Sequence, residues 1–116
     1  MLEIRRQDAG FVAVVSIPVD GPDQQHGLVD LLASDVEEWV RFAPGFVSAN
    51  YHASLDGTRV LNYAQWLTEK AYRDSFRDNP RTGALREAVV KLTGGRGPEM
   101  AGYTLLRSIQ AAVAKE

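Results

Sequence analysis

Cysteine is absent from these 116 residues, which excludes disulfides, thiolate metal sites, iron–sulfur clusters and cysteine nucleophiles. Histidine is nearly as scarce: His26 and His52 are the two present. Neither has a carboxylate or a second histidine at metal-ligand spacing, so no metal site is expected. An excess of charge is lacking as well. Thirteen basic and 15 acidic residues are interspersed and leave a net charge of -2, which gives neither a nucleic-acid footprint nor a polybasic membrane patch. No apolar run approaches the roughly 18 residues of a spanning helix, and Met1-Leu2-Glu3 leads into Arg and Asp rather than a signal-peptide core. A cytoplasmic protein with no membrane or nucleic-acid partner is expected. There is no Gly-x-Ser-x-Gly elbow, no Walker loop and no dinucleotide fingerprint. Gly94-Gly95-Arg96-Gly97 precedes a strand rather than opening a helix, and reads as a plain turn.

What the chain does contain is a regular alternation of element signals within one domain's length, residues 1–116. Phe11 to Ile17 is a valine-rich apolar run bounded by Gly10 and Pro18, and predicts a central strand. Leu28, Leu31, Leu32, Val36, Trp39 and Val40 recur at the helical period until Pro44-Gly45. Two alternating runs then flank Asp56-Gly57, a strong hairpin signal. Thr68 is a plausible N-cap before Glu69 and Lys70, in a helix that stops short of Pro80. Helical spacing resumes from Thr82 to Leu92, and Met100 to Leu106 suits a last strand. The order is β-α-β-β-α-β: an α+β, ferredoxin-like antiparallel sheet with helices over one face. The other face, with Tyr51, Leu61 and Tyr63, is too apolar to leave in water, so a homodimer packing sheet against sheet is expected.

The hairpin carries Asn50, His52, Asn62 and Trp66, polar groups where aliphatics would be ordinary. If Leu55-Asp56 form a type I turn with Gly57 left-handed, Ser54 pairs with Thr58 and Asn50 with Asn62. Phe46, Ser48, Asn50, His52, Val60, Asn62, Ala64 and Trp66 then share the surface beneath the helices. A two-residue turn would set Tyr51 opposite Asn62 and send His52 to the far face. The bulged version is preferred because it gathers the polar groups. Tyr72 and Arg86, on or beside the apolar stripes of the later helices, can reach the same surface. Each has a bland reading: Tyr72 and Trp66 as core, Arg86 as surface, His52 as a satisfied core residue. Asn62 is harder to dismiss, since a mid-strand asparagine is costly to bury without partners. His26 reads as surface.

FVAVV, PVDGP, PGF, YHAS, DGT, NYAQW, AYR and LREA, read from Phe11, Pro18, Pro44, Tyr51, Asp56, Asn62, Ala71 and Leu85, carry a resemblance. Over its whole length the chain resembles the antibiotic biosynthesis monooxygenase family. The resemblance implies a dimeric α+β barrel that oxygenates a tricyclic aromatic polyketide, an anthrone or dihydroquinone, to a quinone. Molecular oxygen would be the co-substrate, with no metal, flavin or haem. It implies a catalytic set of Asn62, Trp66, Tyr72 and Arg86, with His52 as a further substrate-binding residue beside Asn62 and Trp66. Two alternatives stay open: a non-catalytic small-molecule-binding dimer of the same fold, and haem degradation, since haem-cleaving monooxygenases share the fold and use an asparagine, a tryptophan and a histidine.

Overall fold

The structure is a computed structural model that describes residues 10–77 and 79–112. Among these the order is β1 (Phe11–Pro18), α1 (Pro22–Glu38), a single 3-10 turn (Val40–Phe42), β2 (Phe46–Ala53), β3 (Arg59–Trp66), α2 (Glu69–Arg77), α3 (Arg81–Thr93) and β4 (Glu99–Tyr103). The four strands form one sheet in the order β2-β3-β1-β4, every neighbour antiparallel. This is the ferredoxin-like α+β arrangement that the pattern of elements predicts. Boundaries differ at two places. The first helix ends at Glu38 because Trp39 leaves helical geometry at φ -143°, and the last strand stops at Tyr103, with Thr104 to Leu106 beyond it.

Local chemistry explains the joints. Pro22 occupies the first turn of α1, where its missing N–H costs nothing. Thr68 caps α2, its Oγ1 accepting from the Ala71 N–H at 3.0 Å. Gly45 of the PGF motif sits at φ +86°, and a Cβ there would come within 2.5 Å of the Ala71 side chain. Only glycine lets the β2 entrance pass beneath α2.

The hairpin departs from the expected register, although its turn has the expected geometry. Gly57 is left-handed at φ +80°, and its N–H donates to the Ser54 carbonyl at 3.1 Å, closing a turn centred on Leu55-Asp56. Yet Ser54 pairs with Arg59, not Thr58, its N–H donating to the Arg59 carbonyl at 3.0 Å. Side chains absorb the extra residue. Asp56 Oδ1 accepts from the Thr58 N–H (3.0 Å), the Thr58 hydroxyl (2.6 Å) and the Ser54 hydroxyl (2.8 Å). Those bonds, the Thr58 hydroxyl foremost, hold the carboxyl down at about 2. Tyr51 therefore lies opposite Asn62, and His52 opposite Leu61. An irregularity between Phe46 and Ser48, with Val47 as the additional residue, then reverses the facing of β2.

Gln25 locks this hairpin to the first helix. It is buried, and its Nε2 donates to the Ser54 carbonyl at 3.0 Å and the Arg59 carbonyl at 2.9 Å. Each carbonyl keeps one other donor, so Gln25→Ala should cost about 1–2 kcal/mol, read as a lower urea midpoint with an unchanged m-value.

Two clusters make the core between sheet and helices. One joins Phe11, Ala13, Val40, Ala64 and Trp66 to Trp39, Phe46, Tyr72 and Phe76; the other joins Ile17, Val19, Leu28, Val60 and Val89 to Leu32 and Leu85. Between them lies a cavity.

Candidate active site

The cavity has a volume of about 260 Å³, and its walls are mostly apolar. Strand register explains why it exists. Ala49, Ala64 and Ala13 are direct neighbours across β2, β3 and β1, and Gly102 of β4 continues the row. The one-carbon side chains of the three alanines leave a trough between sheet and helices, whereas the space at Gly102 is taken by the Phe11 ring. One step along the strands is the aromatic row of Phe46, Trp66 and Phe11. One step the other way is the row of Tyr51, Asn62 and Val15. Trp66 and Asn62 thus stand at opposite ends of the alanine floor, with Cα atoms roughly 13 Å apart at the usual strand rise.

The remaining walls come from the helices: Leu32, Asp35 and Val36 of α1, Tyr72 and Phe76 of α2, and Leu85, Arg86 and Val89 of α3. Four sequence-predicted site residues, Asn62, Trp66, Tyr72 and Arg86, line this one space. His52 does not. It is exposed on the opposite face of the sheet, because pairing with Leu61 points it away. The even-numbered surface expected for β2 is likewise corrected: Ser48 and Asn50 turn outward, where Ser48 donates to Gln65 Oε1 at 2.6 Å and Asn50 Nδ2 to the Tyr63 carbonyl at 2.9 Å. Tyr51, expected on the outer face beside Leu61 and Tyr63, instead lines the cavity.

Polar groups in the cavity are positioned but little used by the protein. Asn62 Oδ1 accepts from the backbone N–H of Asn50 at 3.2 Å. Because a backbone N–H needs an acceptor, the amide orientation is fixed, and Asn62 has its Nδ2 donors left to offer. Trp66 is held at 1% exposure by Phe46, Tyr72 and Phe76, whose rings meet it edge-on at 5.3, 5.6 and 5.9 Å. Among the described residues, none accepts from its indole N–H, and none partners the hydroxyls of Tyr51 and Tyr72 or the guanidinium of Arg86. Arg86 is exposed, so it stands at the cavity's rim.

Both tyrosines are held protonated. Burial, followed by the negative charge of Asp35, pushes Tyr51 from 10.0 to about 12. Burial also raises Tyr72, with the nearby Arg73 opposing it. A raised tyrosine keeps its proton longer folded than unfolded, so its stabilising effect is whole below 10 and drains away as pH rises toward about 12. Wild-type protein should lose up to about 3 kcal/mol across that window through this residue. Tyr51→Phe should show a correspondingly shallower loss in urea melts at pH values spanning the window.

Sequence reasoning missed Asp35 and the placement of Tyr51. Asp35 was legible as an acid among Leu31, Leu32, Val36 and Trp39 on an apolar helix stripe. Tyr51 was misplaced by the preferred hairpin register; the extra turn residue sets it opposite Asn62, the pairing that the two-residue-turn alternative gave.

No family model matches the chain. A monooxygenase from Streptomyces coelicolor, ActVA-Orf6 in complex with nanaomycin D, is 49% identical over 96% of this chain and 100% of its own, with a TM-score of 0.87. The chain belongs to the antibiotic biosynthesis monooxygenase family. Tetracenomycin-F1 monooxygenase of Streptomyces glaucescens is 46% identical over 57 residues, 49% of this antibiotic biosynthesis monooxygenase and 51% of that protein. The chain thus matches about half the length of that curated relative. A variant of SnoaB, a cofactor-independent oxygenase from Streptomyces nogalater, shares the fold at a TM-score of 0.72 and 18% identity, over 89% of this chain and 99% of its own. No helix among the described residues of this family member is long and apolar enough to cross a membrane.

Proposed function

We propose that this protein is a cofactor-independent monooxygenase that converts a tricyclic aromatic polyketide, of anthrone or dihydroquinone type, to a quinone with molecular oxygen. The observation that carries the reading is the alanine-floored, mostly apolar cavity, with donors that the protein itself leaves unused at its ends. Its resemblance to a protein crystallised with nanaomycin D supports the substrate class.

The reducing power comes from the substrate. For an anthrone, a ring CH₂ and O₂ become a ring C=O and water. Loss of one ring proton gives a delocalised anion that passes an electron to oxygen. The two radicals combine to a peroxide at the ring carbon. Loss of the second ring hydrogen, with cleavage of the O–O bond and protonation of the leaving oxygen, releases water. The protein's task is to bind the rings, favour the anion and supply that proton.

Asn62 Nδ2 and the Trp66 indole N–H donate to ring or peroxide oxygens at the two ends of the floor. Arg86 places positive charge at the rim, where it favours the anionic intermediate. Tyr72, neutral and facing the cavity, is the proton donor to the peroxide. The whole chain serves as one domain. No histidine lines the cavity, which leaves haem degradation without an iron ligand there.

The reading includes a homodimer formed through the sheet's outer face. That face carries Val14, Leu61 and Tyr63, and beyond β4 lie the exposed side chains of Leu106 and Ile109, at 91% and 82%. Light scattering should give twice the chain mass.

The experiment is oxygen uptake by purified, metal-stripped protein supplied with an anthrone. One O₂ consumed per quinone formed, unaffected by chelator, is the expected result. Oxidation no faster than the uncatalysed rate would sink the enzymatic reading.

A further inference from the structure

Asp35 is the single carboxylate that lines the cavity among the described residues, in a lining that is aliphatic and aromatic apart from Asn62, Thr82 and, at the rim, Arg86. One oxygen is occupied: Oδ2 accepts from the Trp39 indole N–H at 2.5 Å, one helical turn along α1. The Asp35 carbonyl also accepts from the Trp39 backbone N–H at 3.1 Å, so the pair is fixed in place at the helix end. No described lysine, arginine or histidine forms an ion pair with Asp35, and Oδ1 has no described donor. A half-buried carboxylate without a cation costs free energy that a packing role does not return. A glutamine or asparagine could hold Trp39 as well. What a carboxylate adds is a strong acceptor and a negative charge, both facing the space a ligand would fill.

We infer that Asp35 is a specificity-determining residue: it accepts a hydrogen bond from a hydroxyl on the tricyclic ligand and turns away ligands that carry a carboxylate at that position. The inference rests on the proposed function, since it assigns the substituent pattern read by the same cavity. Tyr51 belongs to the same device. Lining the same cavity as Asp35, the Tyr51 hydroxyl gives the ligand's oxygen a donor where Asp35 gives its proton an acceptor. A phenolic hydroxyl satisfies both. A methoxy group satisfies the donor alone, and a carboxylate meets the repulsion of Asp35.

The test is equilibrium binding of quinones, which do not react with oxygen, followed by quenching of Trp39 and Trp66 fluorescence. Dihydroxyanthraquinone, dimethoxyanthraquinone and an anthraquinone carboxylate are compared on wild-type protein and on Asp35→Asn. Wild type should bind the dihydroxy compound about tenfold or more tighter than the other two. Asp35→Asn keeps an oxygen for Trp39 and removes the charge. It should lose most of that preference, chiefly by gaining affinity for the carboxylate, with its melting temperature little changed. An unchanged preference in Asp35→Asn would overturn the inference while leaving the proposed function standing. Failure of all three quinones to bind wild type would overturn both. Should Asp35→Asn melt early, Asp35→Glu, which keeps the charge, is expected to retain the rejection of the carboxylate; its loss would count against the inference.

Discussion

Asn62→Ala is expected to lower kcat for anthrone oxygenation by about 10²–10³-fold and to change KM for the ring system far less. The expectation follows from how the amide is spent. Its oxygen is committed to the Asn50 N–H at 3.2 Å, so the group can meet substrate only as a donor. Donors strengthen as negative charge develops on a ring or peroxide oxygen, and in an apolar cavity little water competes with them. The loss should therefore appear in kcat rather than in binding. Asn62→Asp makes a sharper test. Aspartate preserves shape and still accepts from Asn50, yet sets a negative charge where the donors were. It should be at least as impaired as alanine, and robust turnover by it would remove Asn62 from the chemistry. His52→Ala supplies the contrast. With its side chain exposed on the outer face opposite Leu61, it should keep turnover within about twofold, as surface changes away from a site usually do.

That contrast marks where the sequence was legible and where it was not. Periodicity, caps and turn residues report local geometry, and they placed the four strands, the helices, the Thr68 cap and the left-handed Gly57. Facing depends on a count. One additional loop residue, stabilised by the Asp56 side chain, moves Asn62 from opposite Asn50 to opposite Tyr51 and so turns Tyr51 and Ala49 inward, and the irregularity at Val47 then returns Phe46 to the same face. Neither event changes the hydrophobic pattern enough to be seen beforehand. Asn62 and Trp66 were robust to the error because both lie on β3, whose even-numbered residues face the helices in either register. His52, Asn50 and Tyr51 lie on β2 and moved with it. The polar residues that made the hairpin conspicuous therefore serve two purposes. Ser48 and Asn50 stitch the outer face to Gln65 and Tyr63, while Asn62 faces the cavity.

Filling the alanine row should have the other large effect. Ala49→Leu is expected to weaken binding of a tricyclic quinone by about 100-fold or more while leaving the melting temperature the same or slightly higher. The position matters. Ala64 is buried at 6% between Ala13 and Ala49, so a larger side chain there has no outlet and would overpack the core. Trp66, at 1% exposure against the rings of Phe46, Tyr72 and Phe76, would cost about 3–5 kcal/mol on truncation to alanine, and lost activity would then be inseparable from lost fold. Ala49 is half-buried on the outermost strand of the sheet and opens onto the cavity. A leucine added there extends apolar atoms into empty space, which stabilises by burial and occupies the plane a flat ring needs. Binding and stability should therefore move in opposite directions, a combination that damage to the fold cannot produce. Equilibrium quenching by anthraquinone and a thermal melt on the same sample decide it. Undiminished binding by Ala49→Leu would mean that the ring does not lie on the alanine floor, and Asn62 and Trp66 would no longer stand at the two ends of a substrate.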